Sequence, residues 1–286
     1  MTTLSRFEIH QPASVREASQ MLAHYGEDAG IYAGGTELLL AMKHAALNYL
    51  HLIDLKTIPG LSSIGARNGV LEIGATSTHR SIERSAVVRQ YQPVLAEMES
   101  HVANVRVRAT GTLAGNLCFA EPHSDPATLL QVLGGTVHVE SADGAREIPV
   151  EELIGGAYAN NLQPGEIVTK ISVPVVQPTH RAAYMKFQVH QRPTLGLGLW
   201  LDTPDGGQTI LSARVAIGCV SAFPTRSPEA EKLLTGSRAR IEKNLQQAAD
   251  VIADAADLMD DHEGGVDYKR HLIHVHLQRA LRKALD

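Results

Sequence analysis

The sequence predicts an α+β protein built from two domains. Three observations lead there. At 286 residues the chain is too long for one small core and fits two domains of roughly 100–200 residues. Its opening segment alternates strand and helix signals around a glycine pair. Its last third runs through strands first and helices afterwards, the order of an α+β unit. The expected division is a first domain over 1–176, in lobes 1–58 and 59–176, and a C-terminal α+β domain over 177–286.

Phe7 to His10 reads as a short strand, and Ser14 with Glu17 three residues later forms a capping box that opens a helix to about Tyr25. Val15, Ala18, Met21 and Leu22 recur at helical spacing within it. Ile31 to Ala33 is a strand running into Gly34-Gly35, after which Leu38, Leu39, Ala41 and Met42 resume a helical pattern. Leu50 to Leu55 is a further buried strand, and Ile58-Pro59-Gly60 closes the first lobe. From Leu61 to about Pro174 short apolar runs follow, among them Leu71–Ile73, Thr136–Val139 and Ile167–Val173. Pro174 and Pro178 mark a joint. Beyond it Tyr184–Val189, Leu195–Leu201 and Ile210–Ile217 read as strands, with a turn at Asp205-Gly206-Gly207. After Ser227 the pattern is helical, clearest over Ile241–Met259 and Tyr268–Leu285.

Composition narrows the function. A hydrophobic fraction of 44% and a charged fraction of 20% describe an ordinary globular chain. A net charge of −5 supplies no basic field for a phosphate backbone, which argues against nucleic acid as a partner. The two cysteines, Cys118 and Cys219, are too few for an iron–sulfur cluster or a thiolate zinc site. A disulfide between them is left open, although such sparse usage suits a reducing compartment. The polar start, MTTLSRFEIHQPAS, has no apolar leader, and no run approaches the roughly 18 apolar residues of a membrane span. The expected location is the cytoplasm.

Two glycine motifs carry the chemistry. The first is Tyr32-Ala33-Gly34-Gly35-Thr36-Glu37-Leu38, where a strand meets a helix. Glycine there permits positive φ and close backbone approach, and the N–H groups of a helix start attract anions, so a diphosphate is the natural guest. The second is Thr110-Gly111-Thr112-Leu113-Ala114-Gly115-Asn116-Leu117, with Asp125 nine residues beyond Asn116 and placed to accept from ribose hydroxyls. No Gly-x-x-x-x-Gly-Lys-Ser/Thr loop occurs, and Gly196-Leu197-Gly198 lacks the third glycine of a dinucleotide fingerprint. Both features argue against ATP and against a Rossmann-type NAD site.

With these motifs the whole chain resembles the FAD-binding medium subunits of molybdenum hydroxylases, the family of the carbon monoxide dehydrogenase medium chain and the xanthine dehydrogenase flavin domain. The carriers are YAGGTELL at 32–39, RATGTLAGNL at 108–117 with Asp125, GEIVTKISVP at 165–174 and YMKF at 184–187. The resemblance implies a two-lobed FAD-binding fold of the vanillyl-alcohol-oxidase (PCMH) type and a compact C-terminal domain of the CO dehydrogenase flavoprotein type. It also implies that Tyr32 and Ala33 to Leu38 line the FAD diphosphate, and that Thr112, Ala114, Gly115 and Asn116 close over it. Asp125 would hold a sugar hydroxyl, Val168 would lie against the flavin, and Lys186 would stand near the isoalloxazine ring, where a cation favours reduced flavin. The implied partners are a small iron–sulfur subunit and a large molybdopterin subunit in a dimer of heterotrimers, with the molybdenum cofactor and [2Fe-2S] clusters held only by those partners.

Two departures stand out. Ala114 occupies a position where relatives often have glycine, so the backbone there is expected to be more crowded or to use negative φ. The cysteine-rich loop that gives some relatives an extra cluster is missing. Elsewhere, His271 and His274 share a helical face that His276 leaves, so no metal site is expected among them. Glu121 and His123 are read as turn residues, and Arg106 and Arg108 equally as phosphate ligands or structural ion pairs. No Ser/His/Asp or Cys/His grouping suggests a catalytic nucleophile. Two rival readings are a self-sufficient flavin reductase of the UDP-N-acetylenolpyruvoylglucosamine reductase type and a scaffold with a degenerate flavin pocket. The substrate and the terminal acceptor are not written in this chain.

Overall fold

A computed structural model describes residues 4–189 and 191–286. The first lobe is a small parallel sheet. Strand β1 (Glu8–His10) leads into α1 (Val15–Tyr25), then β2 (Ala29–Tyr32), α2 (Leu38–Lys43) and β3 (His51–Asp54), and the strand order is β1-β3-β2. Half of the capping box forms: the Glu17 N–H donates to Ser14 Oγ at 3.2 Å, while Glu17 Oε2 reaches one residue further back and accepts from the Ala13 N–H at 2.7 Å. Ala18 of α1 packs with Ala29, Ile53 and Leu55, and this small core includes Ile167 from the second lobe. Ser19 links the lobes again, donating to Gly165 O at 2.8 Å and accepting from the Ala142 N–H at 2.9 Å.

The second lobe begins with the hairpin β4 (Ile64–Arg67) and β5 (Val70–Gly74). A run of helices follows: α3 (His79–Arg84), α4 (Ala86–Tyr91), α5 (Pro93–Ser100), α6 (Val105–Thr110), α7 (Leu113–Phe119) and α8 (Asp125–Leu133). Then come β6 (Thr136–Glu140), β7 (Ala145–Pro149), α9 (Val150–Leu153), the small hairpin β8 (Ile154–Gly156) and β9 (Ala159–Asn160), and β10 (Ile167–Pro174). Strands β4-β5-β10-β6-β7 form one antiparallel sheet. Helix α8 is buried along its whole length, starts with Pro126 in its first turn, and stops at Gly134 in the left-handed region (φ 72°).

The C-terminal domain contains β11 (His180–Phe187), β12 (Leu195–Asp202), β13 (Thr209–Ile210), β14 (Ser212–Gly218), β15 (Thr225–Arg226), α10 (Pro228–Leu233), β16 (Gly236–Ser237), α11 (Arg238–Ala255) and α12 (Val266–Leu285). Its antiparallel sheet β11-β12-β14-β15 has α8 on one face and α12 on the other, so β12 is apolar on both sides. Gly198 serves that packing, since a Cβ there would come within 3.0 Å of Val132 and 3.2 Å of the Thr128 carbonyl in α8.

Three elements differ from their sequence-based expectation. The run Ile210–Ile217 is broken at Leu211, because Ile210 pairs with Gly236 in a separate two-stranded ladder while β14 pairs with β12. The first C-terminal helix ends at Ala255 rather than Met259. There the Met259 N–H bonds Val220 O at 3.0 Å and the Met259 carbonyl accepts from Lys269 Nζ at 2.7 Å, which draws the chain out of helical register. The tract after Ser227 is also interrupted by β16. Both cysteines are free. No helix among the described residues is long and apolar enough to cross a membrane.

Candidate cofactor cleft

The two glycine loops meet. Tyr32 ends β2, and Ala33 to Glu37 carry the chain to α2 at Leu38. Gly35 has φ 70°, and a Cβ on it would lie 2.3 Å from the Tyr32 ring, so only glycine turns the chain back onto that aromatic side chain without strain. A Cβ on Gly34 would lie 2.5 Å from Thr110 O, 2.7 Å from Gly111 Cα and 3.0 Å from Thr112 N, all backbone atoms of the second loop. The first loop therefore rests on the main chain of the second.

Thr112 is the N-cap of α7, accepting from the Gly115 N–H at 3.1 Å, and it forms an isolated bridge with Thr78. Ala114 lies in the first turn of α7, buried and helical; a helix suits alanine, so negative φ resolves the departure from glycine. Asn116 Oδ1 accepts from Ser124 Oγ at 2.6 Å, which steadies the turn leading to α8. Beneath this loop His79 Nδ1 and Glu99 Oε2 are 2.6 Å apart, and their side chains are 3% and 0% exposed. The His79 N–H also bonds Gly111 O at 3.0 Å, so the pair braces the loop from inside.

Both loops open onto one cleft of about 1370 Å³, lined from the first lobe by Ala33 to Leu38, from the second by Thr112, Ala114, Gly115, Asn116 and Val168, and from the C-terminal domain by Lys186. That volume exceeds the roughly 300–1,000 Å³ of an ordinary small-molecule pocket and suits a long dinucleotide. Tyr32, expected at this site, does not line the cleft: its ring packs against Gly35 and under Lys56. Val168 is buried on β10 at a register shift of the ladder with β6, which aims it at the cleft.

Asp125 occupies the first position of α8 and is 4% exposed. Its Oδ1 accepts from the Tyr184 hydroxyl at 2.8 Å, and its Oδ2 from Lys186 Nζ at 2.7 Å; Lys186 also donates to His101 O at 2.8 Å. Burial, with the neighbouring Asp125 charge, pushes the Tyr184 phenol well above its usual range, so it remains the donor. Two facing glycines make the room. A Cβ on Gly196 would lie 2.3 Å from the Tyr184 hydroxyl, and one on Gly218 would lie 2.0 Å from Thr128 Oγ1. Gly196 and Gly198 are thus packing glycines within β12, consistent with their failure to match a dinucleotide loop. The ion pair leaves Asp125 only its remaining lone pairs for a sugar hydroxyl.

One residue behind the first loop carried no sequence signal. Lys56 donates to Ala33 O at 3.0 Å, stands 3.6 Å over the Tyr32 ring centroid and pairs with Asp54 at 2.7 Å, clamping the first loop. Its separation from the motif matches no spacing rule. Glu121 pairs with Arg192, and its carboxyl is pushed up by burial against the pull of that guanidinium. His123 Nδ1 lies 2.9 Å from Pro193 O and its Nε2 3.3 Å from Asp261 Oδ2. These two residues thus hold the β11–β12 connection at the cleft mouth, more than shaping a turn. Asp261 is in turn held at 2.6 Å by Lys269, a lysine of α12 with 0% exposure. Arg108 makes a structural pair with Glu83 at 3.1 Å, while Arg106 is exposed. His274 faces Asp250 at 2.9 Å, whereas His276 is buried against Leu272 O, so the C-terminal histidines diverge. Burial pushes the Cys118 thiol, which lines the cleft, up to about 12.

Residues 5–176 match the family described as the FAD binding domain in molybdopterin dehydrogenase, and residues 183–284 match the CO dehydrogenase flavoprotein C-terminal domain. The chain is 30% identical over 283 residues to the carbon monoxide dehydrogenase medium chain of Afipia carboxidovorans, covering 97% of this chain and 96% of that one. It is 29% identical to the nicotine 6-hydroxylase medium subunit of Paenarthrobacter nicotinovorans, covering 96% and 95%. Among solved structures it superposes on reconstituted CO dehydrogenase from Oligotropha carboxidovorans with a TM-score of 0.94 at 29% identity, covering 99% and 98%. Quinoline 2-oxidoreductase from Pseudomonas putida gives 0.91 at 26% identity, with the same coverage.

Proposed function

The chain belongs to the FAD-binding medium subunits of the molybdenum hydroxylases, and from that premise we propose that it relays electrons from partner iron–sulfur clusters, through FAD, to an external acceptor. The observation that carries this reading is the backbone-to-backbone seating of Gly34 on Thr110–Thr112 at the floor of one shared cleft. Bound FAD supplies a two-electron centre; the protein supplies grip, orientation and electrostatics.

In this reading Ala33, Gly34, Gly35, Thr36, Glu37 and Leu38 present main-chain N–H groups to the diphosphate, with the Tyr32 ring packed behind Gly35. Thr112, Ala114, Gly115 and Asn116 close on it from α7. Val168 gives the ring an apolar wall. Lys186, held by Asp125 and His101 O, sets a fixed positive charge at the far end of the cleft. The partners are a small iron–sulfur subunit and a large molybdopterin subunit in a dimer of heterotrimers, and two free thiols suit a cytoplasmic complex.

Co-expression of this chain with its neighbouring genes tests the proposal. The expected result is a yellow complex with one FAD per chain, in which substrate added to the large subunit bleaches the flavin absorbance. A colourless chain that stays colourless after FAD is added would refute the binding. Turnover of an enolpyruvyl sugar nucleotide by the isolated chain would replace the relay by the reductase reading.

A further inference from the structure

A second cluster of polar side chains lies on the first lobe, among residues that do not line the cofactor cleft. Strands β1 and β3 are parallel and pair Glu8 with His51 and His10 with Ile53, so Glu8, His10 and His51 share one face of the sheet. His10 Nε2 and His51 Nδ1 point at each other across 3.0 Å, and Glu8 Oε2 lies 3.8 Å from the same His51 nitrogen. One donor atom from each residue falls within 4.8 Å of the others. Tyr25, the last residue of α1, stacks on both rings, at 3.9 Å between centroids with His51 and 5.0 Å with His10. The imidazoles are therefore oriented before anything binds.

Two facing imidazole nitrogens and a carboxylate oxygen can share a proton, or they can share a cation. From the donor set we propose that Glu8, His10 and His51 form a binding site for a zinc-class divalent cation, which clips the edge strand β1 to β3. Imidazole nitrogens bound to one ion at roughly 2.0–2.1 Å lie about 2.9–3.4 Å apart for bond angles of roughly 90–110°, which brackets the observed separation. Two histidines and one carboxylate are a zinc donor set that leaves room for water, and softer thiolates are not needed. Glu8 is 74% exposed, so its carboxylate is free to swing onto the ion. Glu8 and His10 belong to a strand of three residues at the sheet edge, where a metal clip adds most to what few main-chain bonds provide. Because the ligands come from positions 8, 10 and 51, no local spacing rule finds them.

The test is titration of the full chain, stripped with chelator and desalted, with Zn²⁺ against a chromophoric chelator at neutral pH. The expected result is one tight equivalent per chain and a zinc-dependent rise in melting temperature. His10→Gln and His51→Gln each weaken binding at least about tenfold, and Glu8→Gln weakens it by a smaller factor. His24→Gln, whose ring touches Tyr25 but not the cluster, leaves binding unchanged. If His51→Gln does not fold, His10→Gln and the exposed Glu8→Gln still decide the matter. Absence of a stoichiometric equivalent in the wild-type chain, or equal affinity in His10→Gln, overturns the site and leaves a shared proton between two histidines.

Discussion

Replacing Gly34 by alanine tests the contact between the two loops most directly. The added methyl would meet Thr110 O at 2.5 Å, Gly111 Cα at 2.7 Å and Thr112 N at 3.0 Å. None of these is a side-chain end that can rotate away, so one loop must retreat by several tenths of an ångström. Overpacking of this kind costs about 1–3 kcal/mol. If the seating shapes the diphosphate cradle, much of that strain appears as lost affinity for FAD, roughly 5- to 150-fold in Kd. Fluorescence titration of deflavinated Gly34→Ala with FAD measures it. Gly65→Ala serves as the control, because a Cβ at Gly65 in β4 meets nothing within 4 Å. Unchanged FAD affinity in Gly34→Ala, even with a lowered melting temperature, would mean the contact is merely structural and would refute the cradle.

Three further outcomes follow from the same geometry. Tyr184→Phe removes the donor to Asp125 Oδ1 and leaves that buried oxygen unpaired, at a cost of about 1–3 kcal/mol; with roughly 2–4 °C per kcal/mol for a chain of this size, calorimetry should show a clear drop in Tm, and an unchanged Tm would count against the network. Lys186→Gln removes the fixed cation, so the flavin reduction potential measured by dye equilibration should become more negative, and an unaltered potential would place Lys186 away from the ring. Cys118 should resist alkylation in the native protein at pH 8, where a thiol with a pKa of about 12 is ionised to roughly one part in ten thousand. Because its folded value lies above the unfolded one, the chain holds that proton longer when folded. Its contribution to stability is complete below about pH 9 and declines as pH rises towards 12, so a Cys118→Ser variant should lose less stability over that range.

What the sequence disclosed depended on how local the cause was. The Ser14–Glu17 box and the apolar spacing of α1 lie within a few residues of one another, and that helix forms over Val15–Tyr25 as read. The glycine motifs announced themselves because positive φ and close approach are demanded of particular residues, and Gly35 meets that demand. Long-range partners were another matter. Nothing near Tyr184 reveals that its hydroxyl will meet Asp125, and nothing near Lys56 reveals that it will clamp Ala33. The apolar run at Ile210 continued on paper because a strand's partner is not encoded in its alternation, and Gly236 takes Ile210 into another ladder. The helix expected to reach Met259 stops early for the same reason, since Val220 and Lys269 claim the Met259 main chain from a distance.

Lys269 has a consequence for the mouth of the cleft. This lysine, wholly out of water, is held by Asp261, and that carboxylate also faces His123, whose other nitrogen steadies Pro193 at the mouth of the cleft. Replacing Lys269 by methionine would therefore take one partner from a carboxylate beside the very histidine that positions the entrance. That change should surface as a faster leak of yellow colour.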